Sequence, residues 1–234
     1  MKVEIWSDVM CPFCYIGKRR FEDALQQFGG KDKVEIEWKS FQLNPQMVTD
    51  PSVNISQYLA DVKGWTLEYA QQMNAHVTKM AAEVGLTYDF DRAVVANSLK
   101  AHRFSHYAKS KGLGDAAEEA LFKAYFTLGK NTDDTETLAG LGEEIGLDNA
   151  EVRTVLNSDT YTDDVKHDIA EAEYLGIRGV PFFVMNGKYA VSGAQAVPVF
   201  TQTLEKAFGE WSEAQNKPEL DVISGPVCGQ DGDC

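Results

Sequence analysis

The chain has 234 residues, of which 44% are hydrophobic and 25% charged, proportions ordinary for a globular protein with a sizeable core. Its 22 Lys and Arg residues against 36 Asp and Glu residues give a net charge of −14. This charge argues against nucleic acid and anionic membrane surfaces as partners, since both are bound through basic patches. No run approaches the ~20 apolar residues of a membrane span.

The first elements of the chain are a strand, a short turn and a helix. Residues 3–7 (Val-Glu-Ile-Trp-Ser) predict the strand, and residues 15–28 predict the helix. Between them lies Cys11-Pro12-Phe13-Cys14. Two cysteines with this spacing share one helical turn and are close enough to form a disulfide. We expect Cys11 at the helix N-terminus, where unpaired N–H groups and the helix dipole favour a negative charge.

This placement predicts thiol–disulfide exchange. The thiolate is the reactive form of cysteine, so Cys11 is the expected nucleophile. Cys14, one turn inside the helix, is expected to attack a mixed disulfide formed on Cys11. A C-x-x-C motif is also half of a zinc site, but such a site normally needs a second ligand pair. The strand–CPFC–helix context favours redox chemistry, with zinc binding or inert structural thiols as the alternatives.

The middle of the chain is predicted to be helical. Residues 34–41 alternate apolar and polar side chains and predict a second strand, which completes a β-α-β unit. Residues 50–54 are predicted to be a polar link, and no strand is predicted over 55–176. Thr66 and Asp91 are the expected N-caps of two helices in this block. The predicted helices cover 66–84, 91–112, 115–126, 135–145, 149–156 and 162–175.

Strand-like residues return after the helical block. Residues 180–185 and 188–191 flank Asn186-Gly187, a strong hairpin signal, and a last helix is predicted over 197–208. The predicted fold class is therefore α/β, with a β-α-β unit and a β-β-α unit closing one sheet around a helical insert. The predicted domains are 1–54 with 177–210, the insert 55–176, and a C-terminal tail 211–234.

These halves resemble the thioredoxin fold, and a helical insert between them resembles the DsbA family. The Cys11–Cys14 motif is similar to the active-site motif of that family. Gly179-Val180-Pro181-Phe182-Phe183 resembles the loop whose proline is cis and faces the cysteines. The chain looks most like the cytoplasmic FrnE branch, described as dithiol-disulfide isomerases. The resemblance covers about residues 3–210 and is supported by residues 41–45, 101–103 and 121–126.

The resemblance implies an oxidoreductase or isomerase that acts on disulfides in proteins, peptides or small molecules. No metal or organic cofactor is expected beyond the cysteine pair, and glutathione or another dithiol is the expected recycling partner. Where periplasmic DsbA proteins carry His, this chain has Phe13. Because phenylalanine cannot donate a hydrogen bond to the thiolate, we predict a milder oxidant.

Other residues are predicted to bind substrate. Pro181 is expected to be cis and to leave the backbone of Val180 available to an extended substrate, and Phe13 is expected to form an apolar rim. His102 or Arg103 is expected to line a cleft over Cys11 and supply positive charge. The alternative for these two is an ordinary polar helix face.

The tail holds Cys228 and Cys234, a candidate second redox pair; the alternative is two free thiols or an incidental disulfide.

Glu4 and Asp8 interrupt any N-terminal apolar segment, so no signal peptide is predicted and the expected compartment is the cytoplasm. Two rival functions remain. One is a glutathione-dependent transferase or isomerase of the kappa-class or hydroxychromene-carboxylate isomerase type, and the other is a non-catalytic adaptor or chaperone.

Overall fold

The computed structural model describes residues 1–215, which contain six strands and nine α-helices. The strands are β1 (Lys2–Ser7), β2 (Glu35–Ser40), β3 (Asp50–Asn54), β4 (Val94–Val95), β5 (Phe182–Met185) and β6 (Tyr189–Ser192). The helices are α1 (Pro12–Gln27), α2 (Ile55–Lys63), α3 (Leu67–Ala82), α4 (Leu99–Ser110), α5 (Gly114–Phe126), α6 (Thr135–Glu144), α7 (Asn149–Leu156), α8 (Thr162–Tyr174) and α9 (Val197–Gln215).

A four-stranded sheet joins the two ends of the described chain, in the order β2-β1-β5-β6. β1 and β2 run parallel, so the connection through α1 is the predicted β-α-β unit. β5 runs antiparallel to both β1 and β6. The hairpin between β5 and β6 turns at Asn186 and Gly187, which both have positive φ, as an Asn-Gly turn requires. The predicted α/β fold with a helical insert is confirmed.

Side chains cap the N-termini of several helices of the insert, close to where the sequence pattern predicts that these helices start. Thr66 accepts a hydrogen bond from the Tyr69 N–H at 3.2 Å and starts α3. Asp134 caps α6 and Asp148 caps α7 in the same way. Each cap accepts from one of the N–H groups that a helix start leaves unpaired.

Several sequence predictions are wrong in detail. Residues 50–54 form β3, and Val94–Val95 form β4, which pairs antiparallel with it. The predicted helix from Asp91 therefore starts only at Leu99, because the two valines pair with a strand instead of continuing a helical face. At the other end, α9 continues to Gln215, so the predicted domain boundary at 210 falls inside a helix.

One connected hydrophobic core joins the sheet to the insert. Within the sheet layer, Phe21 of α1 lies 5.5 Å from Phe183 of β5, measured between ring centroids. Towards the insert, Tyr15 of α1 stacks on Phe122 of α5 at 5.0 Å. The helix that carries both cysteines is therefore held by apolar contacts on two sides. Among residues 1–215, no helix is both long and apolar enough to span a bilayer.

Candidate active site

The turn between β1 and α1 places Cys11 at the start of the helix. Cys11 is the N-cap residue of α1, with extended backbone angles, and Pro12 occupies the first helical turn. The Cys11 N–H donates to the Asp8 carbonyl at 2.9 Å, and the Cys14 N–H donates to the Cys11 carbonyl at 3.0 Å. Both thiols are free. The predicted arrangement of one sulfur at the helix start and one a turn inside is thus observed.

The loop before β5 lies directly against Cys11. The Val180–Pro181 peptide bond is cis, as the resemblance implied, and Cys11 Sγ donates to the Val180 carbonyl at 3.4 Å. Gly17 permits this close approach, since a Cβ atom there would lie only 3.0 Å from Pro181 Cγ. The structure therefore brings Cys11, Val180 and Pro181 together across about 170 residues of sequence.

Cys14 lies behind Cys11 and is almost completely buried, with 1% of its surface exposed. Burial raises the pKa of the Cys14 thiol well above its ordinary value, and the neighbouring Cys11 sulfur raises it further. The Ser7 hydroxyl and the Asp8 backbone act in the opposite direction. Burial penalises the ionised sulfur because a thiolate loses its hydration there.

Asp8 is fully buried beside the motif and was not singled out by the sequence pattern. Its carboxylate accepts from the Leu43 N–H at 2.7 Å and from the Met10 N–H at 3.4 Å. His102 Nε2 of α4 lies 3.5 Å from Asp8 Oδ1. Asp8 thus connects the cysteine turn, the loop after β2 and the insert. A charged residue three positions before Cys11, directly after the apolar end of β1, was the available signal.

His102 is part of this buried cluster. Burial would lower its pKa, but the nearby Asp8 carboxylate, with the charge of Glu118, outweighs burial and raises the pKa above 6.5. Glu118 is itself buried, which raises its pKa; Ser105 and His102 partly oppose this rise. Ser105 donates to Glu118 at 2.6 Å. His102 is therefore a buried partner of acids and does not line an open cleft, contrary to the sequence prediction.

Arg103 also departs from its predicted role. Its guanidinium donates to the backbone carbonyls of Thr160 at 2.8 Å and Val155 at 2.6 Å, and also to that of Ser158. Only 5% of the residue is exposed. Arg103 holds the C-terminal end of α7 and the loop that follows it against α4. Its guanidinium therefore stabilises the insert and is not available to a ligand over Cys11.

An apolar groove of about 280 Å³ opens beside the motif, between the Cys11 turn and the helices α2 and α3. Phe13 lies on its rim with 37% of its surface exposed, as predicted for a rim residue. Across the groove, Trp65 is equally exposed. Of the described residues that line the groove, only Lys63 is charged. The surface beside the cysteines therefore suits an apolar, weakly charged ligand.

A roomier cavity of about 510 Å³ lies elsewhere, between β2 and helices α4 and α8. It is lined by charged and polar side chains such as Lys39, His106 and Asp168. His106 Nε2 contacts both Ser40 Oγ at 3.1 Å and Asp168 Oδ2 at 3.0 Å, so one nitrogen faces both groups and no Ser-His-Asp relay is formed. The position of the thiols, not cavity volume, locates the candidate active site.

Within residues 1–215, no three His, Cys, Asp or Glu side chains are grouped so that they could hold a metal ion. The candidate second redox pair, Cys228 and Cys234, lies outside the described residues.

Comparison with known proteins identifies the family of this chain. Residues 2–205 match the family model of the DSBA-like thioredoxin domain. The chain belongs to the DSBA-like thioredoxin family. Its relatives include the Bacillus subtilis (strain 168) protein YwbO, an uncharacterised protein that is 30% identical over 213 residues, which cover 86% of this chain and 94% of that one.

Solved structures that share the fold extend the comparison. A probable DsbA oxidoreductase from Streptomyces coelicolor is 38% identical, with a TM-score of 0.83, covering 99% of this chain and 97% of that one. A 2-hydroxychromene-2-carboxylate isomerase shares the fold at 17% identity and TM-score 0.64, covering 94% and 100%. The cytosolic disulfide reductase DsbM from Pseudomonas aeruginosa, in a structure with GSH, shares it at 16% and 0.62, covering 92% and 100%.

Proposed function

We propose that this DSBA-like protein is a thiol–disulfide oxidoreductase in which Cys11 is the nucleophile and Cys14 resolves the mixed disulfide. The observation that carries the proposal is the position of Cys11 as N-cap of α1, with its sulfur 3.4 Å from the Val180 carbonyl. A helix start favours a negative charge on that sulfur, and the thiolate is the attacking form.

The first step is attack on a substrate disulfide. Cys11 thiolate bonds to one substrate sulfur, the substrate S–S bond breaks, and the other substrate sulfur leaves as a thiolate. In the resting state the Cys11 thiol donates to the Val180 carbonyl. Once Cys11 is in a mixed disulfide it has no proton to donate, so that carbonyl becomes available to an extended substrate chain beside Pro181.

In the second step Cys14 closes the cycle. Cys14 loses its proton and attacks Cys11 Sγ, which forms the Cys11–Cys14 disulfide and releases the second substrate thiolate. Two electrons have then moved from the protein to the substrate. Run in reverse, the same steps oxidise a dithiol. Because Cys14 is buried, it attacks the mixed disulfide at Cys11 Sγ and does not meet free substrate.

The apolar groove supports disulfides flanked by apolar residues as the substrate class. Phe13, Met10 and Pro12 line one side of it, so a polypeptide attached to Cys11 has apolar surface within reach. Phe13 in place of a hydrogen-bond donor still favours a milder oxidant, suited to reduction or isomerisation. Glutathione or another dithiol is the proposed recycling partner, and the cytoplasm is the proposed compartment; the GSH complex of the cytosolic reductase DsbM supports both.

A glutathione-dependent isomerase is the second candidate, since a 2-hydroxychromene-2-carboxylate isomerase shares the fold. The presence of two free cysteines, of which Cys11 contacts the cis-proline loop, favours the redox assignment. A non-catalytic adaptor would need neither thiol.

The test is reduction of insulin disulfides by full-length protein, with thiol-blocked gels or mass spectrometry to detect the mixed disulfide. We expect Cys11→Ser to abolish the activity and Cys14→Ser to accumulate a covalent substrate adduct on Cys11. A Cys228→Ser/Cys234→Ser variant is the matched control for loss of two thiols elsewhere in the chain.

Unchanged insulin reduction by Cys11→Ser would overturn the redox assignment. Glutathione-dependent isomerisation that survives Cys14→Ala, without disulfide reduction by the wild type, would favour the isomerase. Loss of activity in the Cys228→Ser/Cys234→Ser control alone would instead assign the tail pair a part in electron transfer.

A further inference from the structure

Ser7 carries a buried hydroxyl that the fold does not use. The residue ends β1 and is 2% exposed. Within residues 1–215, the buried Ser7 Oγ has no hydrogen-bond partner. A buried hydroxyl without a partner destabilises the folded state, so a role in the reaction would account for its presence.

The neighbour of this hydroxyl is the resolving sulfur. Ser7 lies close enough to Cys14 to lower the pKa of its thiol, against the effect of burial. The hydroxyl is unpaired in the structure, and an ionised Cys14 sulfur would give it an anionic acceptor. The interaction between the Ser7 hydroxyl and the Cys14 sulfur is thus stronger when the sulfur is ionised than in the resting state. An interaction that strengthens in this way accelerates the step in which the ionised sulfur attacks.

Few other groups are placed to stabilise an ionised Cys14 sulfur. Cys11, on the same helix, raises the pKa of Cys14, and the Asp8 backbone acts with Ser7 to lower it. Tyr88, from the connection between α3 and β4, is also close enough to feel the charge of both cysteines. The hydrogen of the Tyr88 hydroxyl is already used, because it is donated to the Pro12 carbonyl at 2.7 Å. His102 is paired with the Asp8 carboxylate.

We propose that Ser7 is a catalytic residue of the exchange reaction, whose hydroxyl donates a hydrogen bond to the Cys14 sulfur as that sulfur loses its proton. The proton goes to solvent or to the departing substrate thiolate, and Cys14 then attacks Cys11 Sγ. This inference rests on the proposed function, since it assigns a role in the second step of that reaction.

The test separates the two steps with the chromogenic disulfide dithiobis(nitrobenzoate), which releases one coloured thionitrobenzoate at each step. The first release depends on reagent concentration and reports attack by Cys11. The second is intramolecular and reports resolution by Cys14. The full-length protein carrying Cys228→Ser and Cys234→Ser restricts both signals to the active-site pair.

We expect Ser7→Ala to leave the first release within about twofold of the parent and to slow the second about ten- to a hundredfold, the effect of one hydrogen bond to a charged group. The pH midpoint of the second release should rise by about one to two units. Ser40→Ala is the matched control. Ser40 faces Ser7 across β1 and β2 and is equally buried, but its hydroxyl contacts His106. It should not change the second release.

A Ser7→Ala second release that is unchanged, or that is slower without a shift of its pH midpoint, overturns the proposal. If Ser7→Ala does not fold, Ser7→Thr and Ser7→Val replace it, since they share one shape and differ in the hydroxyl. Equal resolution rates in that pair also overturn it. Parental first release by Cys11→Ser would instead refute the proposed function, so the two failures are distinguishable.

Discussion

The buried pair of Asp8 and His102 should be a major source of stability, and one that depends on pH. We consider Asp8→Asn, which keeps the side-chain shape and an acceptor for the Leu43 N–H but removes the charge beside His102. The carboxylate is fully buried and lies 3.5 Å from His102 Nε2. Its loss removes the main cause of the raised pKa of His102.

The magnitude follows from this burial. Removing one partner of a buried ion pair typically costs about 3–5 kcal/mol, because the other charge is left uncompensated. The free energy of unfolding of a domain is about 5–15 kcal/mol, so we expect the variant to fold with a clearly lower denaturant midpoint. Asp8→Asn combined with His102→Gln should show a coupling free energy of about 1–3 kcal/mol.

The pH dependence has a definite sign. His102 has a raised pKa in the folded state, so the folded protein holds the proton more tightly than the unfolded chain. The stabilisation is complete below the unfolded value near 6.5 and is lost as the pH rises through the folded value. The coupling should therefore be largest near about pH 6 and smaller near about pH 9.

Urea unfolding followed by tryptophan fluorescence at several pH values measures this coupling, since Trp6 and Trp38 are buried. His76→Gln, at an exposed position, is the control for loss of a histidine. A coupling free energy below about 0.5 kcal/mol near pH 6, or one that grows with pH, would refute the reasoning.

Three other predictions concern the surroundings of the cysteines. Gly17→Ala should destabilise the protein by about 1 kcal/mol and slow insulin reduction, because the new methyl group meets the ring of the cis proline at 3.0 Å, a steric cost larger than the gain in helix propensity. Gly209→Ala has open space and should stabilise it by about 0.5–1 kcal/mol in the same denaturation assay; the same sign in both variants would contradict this. Arg103→Met should lower the free energy of unfolding by about 2–4 kcal/mol without changing thionitrobenzoate release, and altered release would restore Arg103 to the active site. Phe13→Ala and Trp65→Ala should lower kcat/KM for an apolar-flanked peptide disulfide about three- to tenfold but not for oxidised glutathione; equal losses on both substrates would argue against the groove as the peptide site.

Local patterns were sufficient for most of the fold. The boundaries of α7 and the Thr66 cap of α3 were predictable because caps and apolar periodicity act within a few residues. β4 was not predictable, since two valines carry too little pattern to indicate a strand. Their state depends on β3, about 40 residues earlier, which offers its backbone as a partner.

The same distinction between local pattern and tertiary contact applies to the active site. Cys11 and Cys14 could be identified because their spacing and the helix that follows them are adjacent in the chain. The roles of Ser7, Asp8 and His102 could not, because a serine, an aspartate or a histidine in a sequence does not show which group it will face once buried.

From the order of its residues alone, this chain could be assigned its main strands, most helices of its insert and its pair of sulfurs, since each shows a pattern among near neighbours. Folding had to supply the rest. In the folded chain the Val180 carbonyl lies against Cys11, and the Ser7 hydroxyl lies beside Cys14. His102 and Arg103 are buried in other contacts and do not line the cleft as expected. These outcomes depend on burial and on distances between parts of the chain that are far apart in sequence, and no local pattern encodes either.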